Sequence, residues 1–178
     1  MSTNIRECFD KLVREHPSLQ NGDYNGIVPE DCENETDLYA RLLVRAVGKQ
    51  LKTGLHREYI RKKEDLTVMH GTMDIRGTVK NRLDRKYLIS CESDVLSENN
   101  AFNGILKATM LFLLRRNEVN PDVRAVLKKQ ILAFSEIEAA DLGHVDWKRL
   151  MSRRSGADLI MMAQICRLIS EWQNGETE

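Results

Sequence analysis

Apolar residues fall into two rhythms along this 178-residue chain. In the first they recur every three or four positions: Ile5, Cys8, Phe9, Leu12 and Val13 between Asn4 and His16, then Leu38, Leu42, Leu43, Ala46, Val47 and Leu51 between Asp37 and Thr53. That spacing predicts two amphipathic helices. Pro17 ends the first, and Gly54 supplies the stop of the second. Between Phe102 and Leu114 the pattern loses its polar side, because Ile105, Leu106, Met110, Leu111, Phe112, Leu113 and Leu114 leave no wide hydrophilic face. A helix of this kind must be wrapped by others. Asn120 and Pro121 open a further helix with Val123, Val126, Leu127, Ile131 and Phe134 at core spacing. A short helix carries Trp147 and Leu150. Ser155 with Asp158 resembles a capping box for the last helix, whose core face is Leu159, Met162, Ile165, Cys166, Ile169 and Trp172.

The second rhythm occupies Leu55 to Asp94. Tyr59 with Ile60, Leu66 with Val68, Met73 with Ile75, Val79, and Tyr87 to Cys91 are short apolar runs separated by charges and by Gly71 and Gly77, which predicts a small antiparallel β meander. Strands this charged cannot be buried on both faces, so the meander is expected to project a polar side carrying Arg57, Arg61, Lys62, Lys63 and Arg76. Its last strand runs through Ile89, Cys91 and Val95, and Ser97 then offers an N-cap hydroxyl to the central helix. The expected fold is α+β and mostly helical: a helical bundle around a buried central helix, with a small projecting antiparallel β meander. The expected organisation is an N-terminal helix and linker-like loop over 1–36, followed by one domain over 37–178 with a β finger at about 55–94.

Composition supports that reading and narrows it. Apolar content of 42% with only 6% aromatic suits helices packed with Leu, Ile, Val and Met. Lys plus Arg equal Asp plus Glu at 27 each, so a general nucleic-acid coat is disfavoured. The charges are nevertheless segregated: from Arg41 to Lys63 the cations are opposed by Glu58 alone, whereas 92–98 is acidic. Cys8, Cys32, Cys91 and Cys166 are too widely spaced for a zinc or redox pair and read as free thiols. The sequence offers neither a membrane-length apolar run nor a signal-peptide core, so a cytoplasmic location without membrane contact is expected.

Catalytic patterns are sparse. Gly48-Lys49-Gln50 lacks the Ser or Thr of a P-loop and sits mid-helix. Pro121-Asp122 and Asp146-Trp147-Lys148 spell a PD-(D/E)xK nuclease pattern, but both pieces fall in helical sequence where they serve as helix starts. His16, His56, His70 and His144 lack ligand spacing. No catalytic residue, metal ligand or cofactor is assigned to this chain.

One run is more specific. Asp94, Leu96, Ser97, Glu98, Asn99, Asn103, Ile105, Leu106, Lys107 and Thr109 resemble the D-x-L-[ST]-E-[DN]-T-x-x-N-x-[IL]-[IL]-K-x-T signature of the McrC subunits of modification-dependent restriction systems. Leu66, Gly71, Met73, Asp74 and Ile75 resemble that family's upstream companion segment. The likeness covers roughly Asp37 to Trp172. It departs at Thr72, where relatives usually carry a basic residue, and at Gly104, where they often carry Arg; a glycine inside a helix points instead to close backbone packing.

The resemblance implies a non-catalytic partner of a McrB-like AAA+ GTPase ring. Such a subunit plugs the channel and stimulates hydrolysis, GTP and magnesium being bound by the ring and DNA met only indirectly. It implies contacts from Arg57, Arg61, Lys62, Lys63, Gly71, Asp74, Arg76 and Asn103. In relatives a C-terminal nuclease domain follows, and this sequence is expected to stop where that domain would start. The alternatives are a stand-alone nucleic-acid-binding module using the basic band from Arg41 to Lys86 and, less favoured, a nuclease subunit fragment.

Overall fold

The computed structural model describes residues 5–20, 24, 26–152 and 156–175, without the side chains of 173–175. The elements in chain order are α1 (Ile5–Glu15), α2 (Glu35–Thr53), β1 (Glu58–Leu66), β2 (Thr72–Met73), α3 (Ile75–Leu83), β3 (Ile89–Ser97), α4 (Ala101–Leu114), α5 (Pro121–Gln130), α6 (Trp147–Leu150) and α7 (Ala157–Gly175), with short 3-10 turns between several of them. They form a mostly helical α+β structure. Two compact units divide it, one made of Met1–His56 with Ala101–Glu178 and the other of Arg57–Asn100.

The first unit is built around α4. Ala101 is the single exposed residue of that helix, and Leu106, Met110 and Leu113 are fully buried with Leu38, Leu42, Leu43 and Val47 of α2, Leu127 of α5 and Ile165 and Ile169 of α7. The near-continuous apolar run thus does what its pattern demanded. Gly104 lets the chain approach closely: a Cβ there would meet the Glu138 carbonyl oxygen at 2.7 Å, and the Ala140 N–H donates to the Gly104 carbonyl at 3.0 Å. Residues 17–36, poor in apolar side chains, still place Leu19, Tyr24 and Cys32 in the same core.

Helix ends follow local chemistry. The Asn34 side chain accepts from the Asp37 N–H to start α2, and Gly54 ends it with φ of 99°. Asn120 caps α5 with Pro121 in the first turn. Asp37, only 1% exposed, accepts from the Arg41 Nε at 2.8 Å and from the Asn120 N–H at 3.0 Å, so one carboxylate ties the start of α2 to the start of α5. A buried carboxylate is tolerated only with such partners. Asn4 and Ser155 lie outside the described residues, so the capping box expected at Ser155 is not addressed. Among the described residues no helix is long and apolar enough to cross a membrane.

The second unit is a three-stranded antiparallel sheet in the order β1-β3-β2. β1 and β3 pair from Glu58 opposite Ser97 to Leu66 opposite Ile89, and Thr72 and Met73 of β2 face Glu92 and Cys91 on the other edge of β3. Two local expectations need correction. Ile75 to Leu83 is helix, not strand, because Asp74 caps it: its carboxylate accepts from the N–H groups of Arg76 and Gly77. Ser97 does not cap α4; it ends β3, its hydroxyl accepts from the Asn99 N–H at 3.1 Å, and the helix begins only at Ala101.

Candidate partner interface

Seven of the eight residues expected to make contacts lie in the Arg57–Asn100 unit, and the structure gives Arg57 and each cation on β1 a carboxylate. Arg57 pairs with Glu98 at 2.8 Å, Arg61 with Asp94 at 3.9 Å and Lys62 with Glu64 at 2.6 Å, and Lys63 pairs with Asp74. The register explains one of these, since Arg61 lies opposite Asp94, and it also sets Lys63 opposite Glu92, cross-strand positions where opposite charges stabilise a sheet. The cationic stretch seen in sequence is therefore largely neutralised in space. From Arg57 to Asn100 there are nine cations and eight carboxylates.

Asp74 has two tasks, capping α3 and holding Lys63. The Lys63 ammonium beside it draws its carboxyl below the ordinary carboxylate range, with the Gly77 and Arg76 N–H groups acting in the same direction. The same contact raises Lys63. Asp65 is likewise lowered, first by the polar side chain of Asn81 beside it and then by that of Ser90. Gly71 adopts φ of 74° in the turn before β2, and a Cβ on it would collide with the Glu92 carbonyl oxygen. It lies in a shallow depression with Arg61, His70, Thr72, Glu92 and Asp94. Asn103 stands apart: it belongs to the helical unit, is fully buried, and donates to the His56 carbonyl at 2.8 Å. Its amide fastens the end of the α2 connection to α4.

What sequence reasoning missed is the outer side of α3. Ile75, Val79 and Leu83 recur at four-residue spacing and are 70%, 52% and 80% exposed. Tyr87, Val68 and Met69 are exposed nearby in sequence. The signal was available, because Asp74 followed by apolar residues at i, i+4 and i+8 is a capped helix pattern. Gly77 disguised it as a break between strands.

The nuclease pattern finds no support in geometry. Asp146 accepts from the Arg149 N–H as the cap of α6, and Asp122 sits in the first turn of α5. Among the described residues no cluster of three His, Cys, Asp or Glu side chains is placed to hold a metal ion.

Comparison with known proteins now adds to this geometry. Residues 30–177 match the family described as McrBC 5-methylcytosine restriction system component. The chain belongs to the McrBC component family. That span contains the whole Arg57–Asn100 unit, the helical unit from residue 30 to residue 177, and both signature segments. Among solved structures, a chain of the Thermococcus gammatolerans McrBC complex, determined by cryo-EM, is similar with a TM-score of 0.59 at 19% identity, over 92% of this chain and 49% of that one. A second, from a half-complex of a tetradecameric assembly of Thermococcus gammatolerans McrB AAA+ hexamers with bound McrC, has a TM-score of 0.56 at 20% identity, over 78% of this chain and 32% of that one. This McrBC component therefore spans about half, or less, of the length of the chains it matches. At these identities the likeness is one of fold. No curated protein matches.

Proposed function

We propose that this McrBC component is the McrC-type partner of a McrB-like AAA+ GTPase in a modification-dependent DNA restriction system. In this reading the Arg57–Asn100 unit engages the motor and stimulates its GTP hydrolysis. The observation that carries it is that a unit with a polar interior keeps large apolar side chains on its outside, a surface that only an association would cover. Family membership, and a fold shared with a chain of an assembly of McrB AAA+ hexamers with bound McrC, support the choice of partner. Stimulation needs no chemistry from this chain. A bound subunit that orders one interface of a nucleotide-binding ring supplies positioning and electrostatic stabilisation, which is how phosphoryl transfer is accelerated. The engagement of the β1 cations with their own carboxylates weighs against a phosphate-binding band as the main function.

The test is to mix the purified chain with a McrB-type AAA+ motor protein from the same organism and to measure GTP turnover and co-elution. Stimulated turnover and a stable complex are expected. Unchanged turnover with no complex, alongside salt-sensitive DNA binding by the isolated chain, would replace this reading with the nucleic-acid module.

A further inference from the structure

α3 is inside out. A helix lying on a sheet ordinarily turns its apolar stripe inward, yet here Gly77, Thr78 and Asn81 face β3 while Ile75, Val79 and Leu83 face away. Rotation about its axis cannot correct this, because the inward face is fixed by hydrogen bonds. The Thr78 hydroxyl accepts from the Ser90 N–H at 3.0 Å and donates to the Asp74 carbonyl at 2.8 Å, and the Asp74 N–H donates to the Ser90 carbonyl at 2.8 Å. Asn81 is buried on the same side of the helix, and its backbone carbonyl accepts from the Lys86 N–H at 2.7 Å. Gly77 permits the contact, since a Cβ there would meet the Ser90 hydroxyl at 2.5 Å. The polar side of this helix is thus used to hold it, and the apolar side is left for something else.

We infer that the stripe Ile75, Val79 and Leu83 docks into an apolar groove edged with carboxylates on the AAA+ motor protein. This rests on the reading under Proposed function and names the surface by which it operates. Charge decides the occupant. Arg76, Lys80 and Arg82 border the stripe, and α3 contains no acidic residue. A protein interface with an apolar centre and a charged rim calls for the opposite sign across it, and apolar anchors one turn apart are how a helix seats in a groove. A second copy of this chain is disfavoured, because a two-fold contact would bring the same cations face to face. Nucleic acid is disfavoured because the stripe is aliphatic and offers no ring for base stacking.

The experiment compares three full-length proteins against the motor ring: wild type, Ile75→Ser/Val79→Ser/Leu83→Ser, and Arg57→Gln/Arg61→Gln. Co-elution, affinity and GTP turnover are measured at low and high salt, with circular dichroism to check folding. The stripe variant is expected to lose on the order of 100-fold in affinity, as the removal of several buried anchors does. The arginine variant is expected to stay within about tenfold of wild type, as rim charges do. A single Val79→Asp variant guards against misfolding of the triple one and is expected to bind weakly while keeping its circular dichroism spectrum. Full binding and stimulation by both stripe variants would overturn the docking surface while leaving the motor-partner reading intact. Failure of wild type itself to bind or stimulate would overturn both. Loss of a concentration-dependent dimer in the stripe variants, or loss of binding to vesicles of phosphatidylcholine with phosphatidylserine, would reassign the stripe to a second copy or a lipid surface and overturn the inference.

Discussion

In the helical unit, Leu38, Leu106, Met110, Leu127 and Ile165 are fully buried, and Asp37 enters the interior with its partners already in place. In the Arg57–Asn100 unit the buried residues are Asn81, Ser90, Cys91 and Asn100, and the aliphatic side chains of α3 stand outside. The first arrangement draws on the hydrophobic effect, at about 1.5–3 kcal/mol for each fully buried large aliphatic side chain. The second relies on hydrogen bonds and cross-strand charges, at about 0.5–1.5 kcal/mol net for a hydrogen bond. Hydrogen bonds fix orientation tightly while adding little stability. A unit held in this way is expected to open more easily than its neighbour, and it retains apolar surface with which to bind.

That contrast can be broken most forcefully in the helical unit. Leu106→Ala is expected to cost about 2–5 kcal/mol, the range for deleting a fully buried leucine, read as a lowered urea midpoint by circular dichroism. A cost below about 1 kcal/mol would mean that α4 is not the centre of the core. In the smaller unit the corresponding change is Gly77→Val, which forces α3 off β3. An overpacking cost of about 1–3 kcal/mol is expected, appearing as faster hydrogen exchange at β1 and β3 amides while α4 amides keep their protection. Uniform acceleration across both units would show that they do not open separately.

Acid should separate the units next. Asp74 and Asp65 are lowered from an ordinary value of 3.8. A carboxyl lowered in the folded state contributes stability that is present above the ordinary value and lost as pH falls through the lowered one. Exchange protection of β1 and β3 is therefore expected to fall below about pH 4, ahead of α4, and Asp74→Asn should weaken that dependence. Lys63, raised from 10.5, acts at the other end, its contribution being present below that value and lost as pH rises beyond it. The smallest effect belongs to α3's outer face. Val79→Ser should change the urea midpoint by no more than about 0.5 kcal/mol equivalent, and a larger loss would mean that the stripe is packed rather than presented.

Much of the helical unit was legible because its signals are local. The spacing in α1 and α2, Gly54 as a stop, Asn120 with Pro121 as a start, and the all-apolar run in α4 each follow from the near neighbours of a residue. The apolar content of residues 17–36 was too low to show that Leu19 and Cys32 reach the core. The candidate interface was legible as a region but not as a surface. Arg57, Arg61, Lys62 and Lys63 announced themselves by charge, yet their carboxylates are mostly far along the chain, at Glu98, Asp94 or Asp74. Ile75, Val79 and Leu83 went unnoticed because a nine-residue helix and two short strands can share one apolar count.

By itself the sequence determined which segments are helical in the larger unit, which helix lies at its centre, and the family, since each depends on local spacing or on a run of particular residues. Only the tertiary structure decided that Arg57, Arg61 and Lys63 are neutralised by partners distant in sequence and that α3 turns its polar face inward. Both depend on register and on hydrogen bonds to β3. Pairing between strands brings together residues that no local pattern connects, and the choice of which helix face is buried belongs to the surface it packs against.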